Sequence, residues 1–263
     1  MDLISRRSLL SQAGCALSLA DIAGAASVNA QSNTPAISGK SKLKVIVAGG
    51  HPGDPEYGCG GTIARYVERG ADVVLLYLNR GQGGIPRKTP EEAGAIRTAE
   101  AARACQLLKA TPRFADQVDG NAVVDKAHYD SFCRIIEAEK PDVIFTQWPI
   151  DGHPDHRATS MLCYEAWVRM GKSCGFYYYE VSTGEDTLMF APTEYVDITA
   201  MEPRKRAACY AHASQSPDHF YSLQNQTARF RGQESGFTAA EAFIRHIQSP
   251  SGLLPHAGAN YRA

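Results

Sequence analysis

No Cys-x-x-Cys pair occurs in the sequence, although it holds seven cysteines. Zinc-finger and zinc-ribbon spacing is therefore excluded. Cys59, Cys105, Cys133, Cys163, Cys174 and Cys209 are scattered through apolar helical patterns and read as small buried hydrophobes. Charge of either sign is not in excess: 27 Lys and Arg stand against 28 Asp and Glu. That balance gives no reason to expect nucleic acid or an anionic membrane surface as partner. No internal repeat, low-complexity tract or linker is visible, so residues 41–263 read as one domain with a substantial core. No apolar run is long enough for a stable membrane span. The stretch "LLSQAGCALSLADIAGAA" is short and is interrupted by Asp21. Finally, a Gly-x-Gly-x-x-Gly turn is missing after the first apolar strand. The turn there, "GGHPGDPEYGCGGT", is too long and too charged, and the second strand ends in Leu78-Asn79-Arg80 without an acid. A dinucleotide-binding site is thereby excluded.

What is present begins with a leader. "SRRSLL" sets paired arginines before the apolar stretch, and "SVNA" puts Val28 and Ala30 where a signal peptidase reads small residues. Residues 1–30 therefore read as a twin-arginine-type signal peptide, and the protein is expected to be exported, periplasmic or extracellular. Beyond it, "KLKVIVAGG", "DVVLLYLNRG" and "PDVIFTQW" are β-rich runs. They alternate with helical stretches such as "TPEEAGAIRTAEAARACQLLKA", which opens with Thr-Pro-Glu-Glu. "GFYYYEVS" and "TEYVDIT" add strands, and a helix follows through "MEPRKRAACYAHASQ". The pattern predicts an α/β fold, a single Rossmann-like domain with a mostly parallel sheet flanked by helices. Tyr177, Tyr178 and Tyr179 alternate along a strand and are expected mainly in the core.

In such sheets ligands bind beyond the carboxyl ends of the strands. Two loops rich in metal-binding side chains are predicted at that edge, His51–Glu56 and Asp151–Arg157. One His and one Asp from the first loop plus one His from the second make three protein ligands, leaving a fourth position for water. That is the make-up of a catalytic zinc site, since a structural site is closed by four ligands. Such an ion lowers the pKa of water to about 7.

"HPGDPEYGCGGT" together with "HPDHR" resembles the PIG-L/LmbE-type zinc-dependent deacetylases, which act on N-acetylglucosamine-type amines. "LNRGQGGIP", "RTAEAARACQLL", "KRAACYAHASQ" and "EAF" resemble further family segments in the same order. The resemblance implies that His51, Asp54 and His156 bind Zn2+ or another divalent metal. It implies that His153 stabilises the oxyanion or protonates the leaving amine, that Asp155 orients a histidine, and that Arg97 reaches a small acylated amino-sugar substrate. Glu100 on the same helix reads equally well as a structural partner. His212, Ser214 and Gln215 either close the pocket or cap and pack the helix.

Two positions depart from the family. Gly53 stands where members usually carry Asp, the general base, and Gln82 where they often carry Glu. Asp155, or less readily Glu56, is left to replace the base, unless the substrate supplies a group. Otherwise the chain is an exported protein that binds metal and glycan with weak or no turnover. Glu56 itself is expected to hydrogen-bond backbone at the helix start.

Overall fold

The computed structural model describes residues 42–182 and 187–256; the leader expected at 1–30 lies outside them. Apolar side chains alternate along each central strand and are buried on both sides. Val45 and Val47 face one core and Ile46 and Ala48 the other; Leu75 and Tyr77 oppose Val74, Leu76 and Leu78. A strand buried on both faces has to be continuously apolar, which is why these runs were legible.

The strands are β1 (Lys44–Gly49), β2 (Asp72–Asn79), β3 (Thr111–Gln117), β4 (Val143–Gln147), β5 (Gly175–Tyr179), β6 (Glu194–Asp197) and β7 (Ala240–Arg245). They form one sheet in the order β3-β2-β1-β4-β5-β7-β6. The first five pair in parallel, while β7 runs antiparallel to both β5 and β6. The helices are α1 (Asp54–Glu68), α2 (Pro90–Leu108), α3 (Lys126–Glu139), α4 (Pro154–Arg169), α5 (Glu202–Tyr210) and α6 (Pro217–Ser235). Ile63 and Tyr66 of α1, Ala101 and Leu108 of α2 and Ala208 of α5 pack on one face. Phe132 and Ile136 of α3 pack on the other with Leu162 and Trp167 of α4.

The expected mostly parallel sheet is thus present, with an antiparallel insertion at one side. Tyr177, Tyr178 and Tyr179 are all buried. Strand β3, helix α6 and strand β7 are elements that no pattern named in the sequence announces. Asp54 and Glu56 sit in the first turn of α1, so the first ligand loop is shorter than its sequence suggested. Among the described residues, no helix is long and apolar enough to cross a membrane.

The sheet order reverses direction between β1 and β4: the chain leaves β1 toward β2 and returns to β4 on the other side. Such a switch point opens a crevice at the strands' carboxyl ends. His51 follows β1 and His153 follows β4, so the topology alone brings the two His-Pro turns together.

Candidate metal centre and its cleft

Polar residues close the otherwise apolar strands at the switch point. Gln147, the last residue of β4, accepts the Gly50 N–H through Oε1 at 2.9 Å and donates through Nε2 to Asp54 Oδ2 at 3.1 Å. Asp54 Oδ2 also accepts the His51 backbone N–H at 2.8 Å. The carboxylate is thereby fixed before any ligand arrives. The same oxygen lies 3.3 Å from His51 Nδ1 and 3.2 Å from His156 Nε2.

The second nitrogen of each imidazole is also engaged. His51 Nε2 is 3.0 Å from Asp119 Oδ1 and 3.2 Å from Asp155 Oδ2. His156 Nδ1 is 3.0 Å from Asp151 Oδ1. Carboxylates at these nitrogens hold the protons there and leave His51 Nδ1 and His156 Nε2 as lone-pair donors facing Asp54. The three residues named from the sequence as ligands therefore converge on one point. His51, His153 and His156 also bring nitrogens within 4.8 Å of one another, as do His51, Asp119 and Asp155 their ligand atoms. What distinguishes the set with Asp54 is that two ring nitrogens share one carboxylate oxygen.

Electrostatics agree with a cation-seeking cluster. Burial alone would push His51 down, but hydrogen bonds to Asp119, Asp155 and Asp54 outweigh it and hold the ring well above its usual value. Burial likewise opposes charge on His156, yet the Asp54 carboxylate and the Asp151 hydrogen bond raise it to about 9. Asp54 lies well below the carboxylate range, because the neighbouring imidazoles outweigh its burial. Protons on two rings stand where a dication would compensate the same acids.

His153 caps α4. Its Nδ1 accepts the Asp155 N–H at 3.2 Å, so a neutral ring carries its proton on Nε2. Burial and the adjacent His51 and His156 lower its pKa and favour that neutral form. Asp155 is fully buried. Its oxygens accept from Asn79 Nδ2 at 2.9 Å and from the Gly120 and Ala122 N–H groups at 2.8 and 3.3 Å. It lies behind His51 and does not line the cleft.

The cleft in front has a volume of about 420 Å³ and is lined by His51, Asp54, Arg97, Asp119, His153 and His212 among others. Arg97 is 5% exposed and donates to the Pro52 carbonyl. Gly84 makes room for it: a Cβ there would come within 2.4 Å of Arg97 Nη1, which accounts for the Gly-rich loop after β2. Gln82 of that loop points elsewhere, accepting the Arg80 N–H. Glu100 is a structural partner, receiving the Ser214 N–H and hydroxyl at 2.7 and 2.8 Å. Gln215 lines the cleft and donates to the Gly84 carbonyl. Glu56 is fully buried beneath the first loop. It accepts from the Gly53 N–H at 3.2 Å, from Tyr77 Oη at 2.7 Å and from His212 Nε2 at 3.0 Å.

Sequence reasoning gave no role to Asp119, Asp151, Asn79 or Gln147. Two of these carried a usable signal: Asn79 and Gln147 are single polar residues ending buried strands. Asp119 sits in "VDGN", which reads as an ordinary turn.

Residues 46–167 match the model of the PIG-L family, described as GlcNAc-PI de-N-acetylase. The chain is also 28% identical over 232 residues to the diacetylchitobiose deacetylase of Thermococcus kodakarensis, covering 78% of this chain and 83% of the relative. The chain is similar to the PIG-L/LmbE-type proteins. Other relatives of this PIG-L/LmbE-like chain include the 1D-myo-inositol 2-acetamido-2-deoxy-alpha-D-glucopyranoside deacetylase of Kineococcus radiotolerans. That protein is 37% identical over 162 residues, which cover 48% of this chain and 44% of the relative. Among solved structures, the N,N'-diacetylchitobiose deacetylase of Pyrococcus horikoshii superposes with a TM-score of 0.69 at 24% identity, covering 79% of this chain and 87% of the other. GalB, the 4-carboxy-2-hydroxymuconate hydratase of Pseudomonas putida, gives 0.70 at 20% identity, covering 81% and 99%. At these identities the two structures speak for the fold alone, and that fold carries more than one chemistry.

Proposed function

We propose that the protein is a metal-dependent amide hydrolase that removes the acyl group from an N-acetyl amino sugar or a related small amide. The observation that carries this reading is the single Asp54 oxygen between two carboxylate-oriented imidazoles, at the wall of a cleft that His153 and Arg97 also line. The relatives that act on acetylated amino sugars support the substrate class.

His51, Asp54 and His156 would hold the ion, and a mixed nitrogen and oxygen set suits zinc. A bound divalent ion supplies Lewis acidity and lowers the pKa of water at neutral pH. The chain's own side chains do the rest. Asp155, Asp119 and Asp151 hold the two imidazoles in the ligating tautomer. His153 presents Nε2–H to the cleft, where a neutral donor stabilises charge developing on the amide oxygen. Arg97 binds the substrate.

The base is the weak point of the arrangement. Gly53 offers no carboxylate. Asp155, considered as its replacement, is fully buried behind His51 with four donors around it, and Glu56 is saturated beneath the loop. Neither lines the cleft. Gly53 therefore also favours a second reading, a metal- and glycan-binding protein with weak or no turnover.

Acetate release from N-acetylglucosamine and diacetylchitobiose, measured on purified, chelator-treated and zinc-restored protein, tests both. Activity lost with chelator and regained with zinc supports hydrolysis. Activity indifferent to chelator contradicts it, and tight zinc binding without acetate release leaves the second reading. Export of the mature chain remains part of this proposal; cell fractionation with and without the Arg6-Arg7 pair tests it.

A further inference from the structure

Arg97 is buried to 95% of its surface, yet among the described residues no carboxylate oxygen lies within 4.0 Å of its guanidinium. One of its nitrogens donates to the Pro52 carbonyl, and Nε has no partner at all. Asp54, Glu100, Asp119 and Glu56 act on Arg97 through space without outweighing its burial, and none is paired with it directly, although buried cations usually are. Two further buried groups on the same cleft wall have an unmet polar atom, Tyr57 Oη and His212 Nδ1. Buried polar atoms are nearly always satisfied, so the incompletely partnered Arg97 guanidinium on the cleft wall calls for a ligand.

Two of these residues, Tyr57 and His212, border the position where Gly53 has no side chain. Gly53 has φ +111°, and a Cβ built on it would find nothing closer than Tyr57 at 3.6 Å and His212 at 3.8 Å. The residue before it carries the carbonyl that Arg97 holds. A short side chain would fit at Gly53 in ordinary van der Waals contact, and the Arg97 guanidinium is tied to the neighbouring Pro52 carbonyl. Guanidinium and carboxylate are matched in shape and charge. A doubly charged phosphate suits the place less well, because Asp54 and Asp119 already line the cleft and a single Arg balances a single charge.

We propose that the substrate carries its own carboxylate, which docks on Arg97 in the space at Gly53. This rests on the reading of the cleft as a substrate site for amide hydrolysis and narrows it to acidic acylated amines. The chain would then discriminate by charge: a neutral ligand leaves the Arg97 cation without a contacting carboxylate, and an acidic one supplies it.

Calorimetric titration of the zinc-loaded and the chelator-treated protein tests this with three probes, each paired with its methyl ester. They are N-acetylglycine, N-acetylmuramic acid and N-acetylglucosaminuronic acid, whose carboxylates lie at different distances from the amide. At least one acid is expected to bind tenfold or more tightly than its own ester. Arg97→Gln should abolish the preference, and Arg97→Lys should keep part of it. Every acid binding within twofold of its ester to the unaltered protein overturns the inference, whether or not the variants fold. Acetate release from neutral sugars without acid preference leaves the hydrolase reading standing and removes this one. Acid preference without acetate release from any probe does the reverse.

Discussion

Glu56 receives three donors, from Gly53, Tyr77 and His212, and each of its oxygens is used as an acceptor. Glu56→Gln replaces one acceptor oxygen with an amide NH2 donor facing an N–H or O–H. It should therefore cost about 1–3 kcal/mol of stability, read as a lowered midpoint in urea unfolding; an unchanged midpoint would mean that the loop does not depend on this carboxylate. Asp155 acts through His51 in the same way, since it fixes which ring nitrogen is free. Asp155→Asn should weaken zinc binding roughly 10- to 100-fold while leaving the three ligands in place. Competition against a chromophoric chelator measures this, and unaltered affinity would leave Asp119 as sufficient partner for the ring. Gly53 requires a different expectation. A Cβ meets no close neighbour there, but the backbone at φ +111° is one that L-residues rarely adopt. A Gly53→Asp variant therefore carries backbone strain alongside any carboxylate it restores, and its activity has to be read together with its melting temperature.

Helix α1 connects the candidate metal centre to the antiparallel side of the sheet. Its first turn carries Asp54, and its middle is held from β7: Glu241 accepts the Gly61 and Thr62 N–H groups at 2.9 and 2.7 Å. Lys205 of α5 completes the arrangement, 2.6 Å from Glu241, with both side chains 2% exposed. Removing the cation strands a buried carboxylate, so Lys205→Met should cost about 3–5 kcal/mol in chemical unfolding; a change near zero would show that the helix N–H groups satisfy Glu241 unaided. The same elements explain how far the sequence could be read. β1, β2 and β4 announce themselves because both their faces are buried. The two His-Pro turns stand out because imidazole and carboxylate are unusual at strand ends. β3, "TPRFADQ", is the edge strand and only partly buried, so it lacks an apolar run. β7 is short and inserts between β5 and β6, a long-range pairing that local pattern does not encode. Asp119 follows β3 and Asp151 opens the second loop. The pairing of Asp119 with His51 exists only after the sheet has brought the ends of β1 and β3 together, whereas Asp151 pairs locally with His156.

At the level of the whole molecule, the His51, Asp54 and His156 cluster couples folding to pH. The His156 pKa in the folded chain is raised from 6.5 to about 9, with Asp54 and Asp151 overcoming the effect of burial. A group whose folded pKa exceeds its unfolded value stabilises the fold fully below the unfolded pKa, and that contribution fades as pH rises through the folded one. Metal-free protein should therefore lose stability between pH 6.5 and about 9, as the ring gives up the proton that its two carboxylates favour. A bound dication takes the place of that proton, and its affinity rises as the imidazoles deprotonate. The zinc-loaded protein should hold its stability over the same interval. The gap in melting temperature between zinc-loaded and chelator-treated samples is thus expected to widen by a few degrees across this window, since about 1 kcal/mol corresponds to roughly 2–4 °C in a domain of this size. Scanning calorimetry at several pH values reads the gap directly. A gap that stays constant with pH would mean that the ion does not compete with the His156 proton, and the ligand set built on Asp54 would have to be replaced by another of the histidine groupings around it.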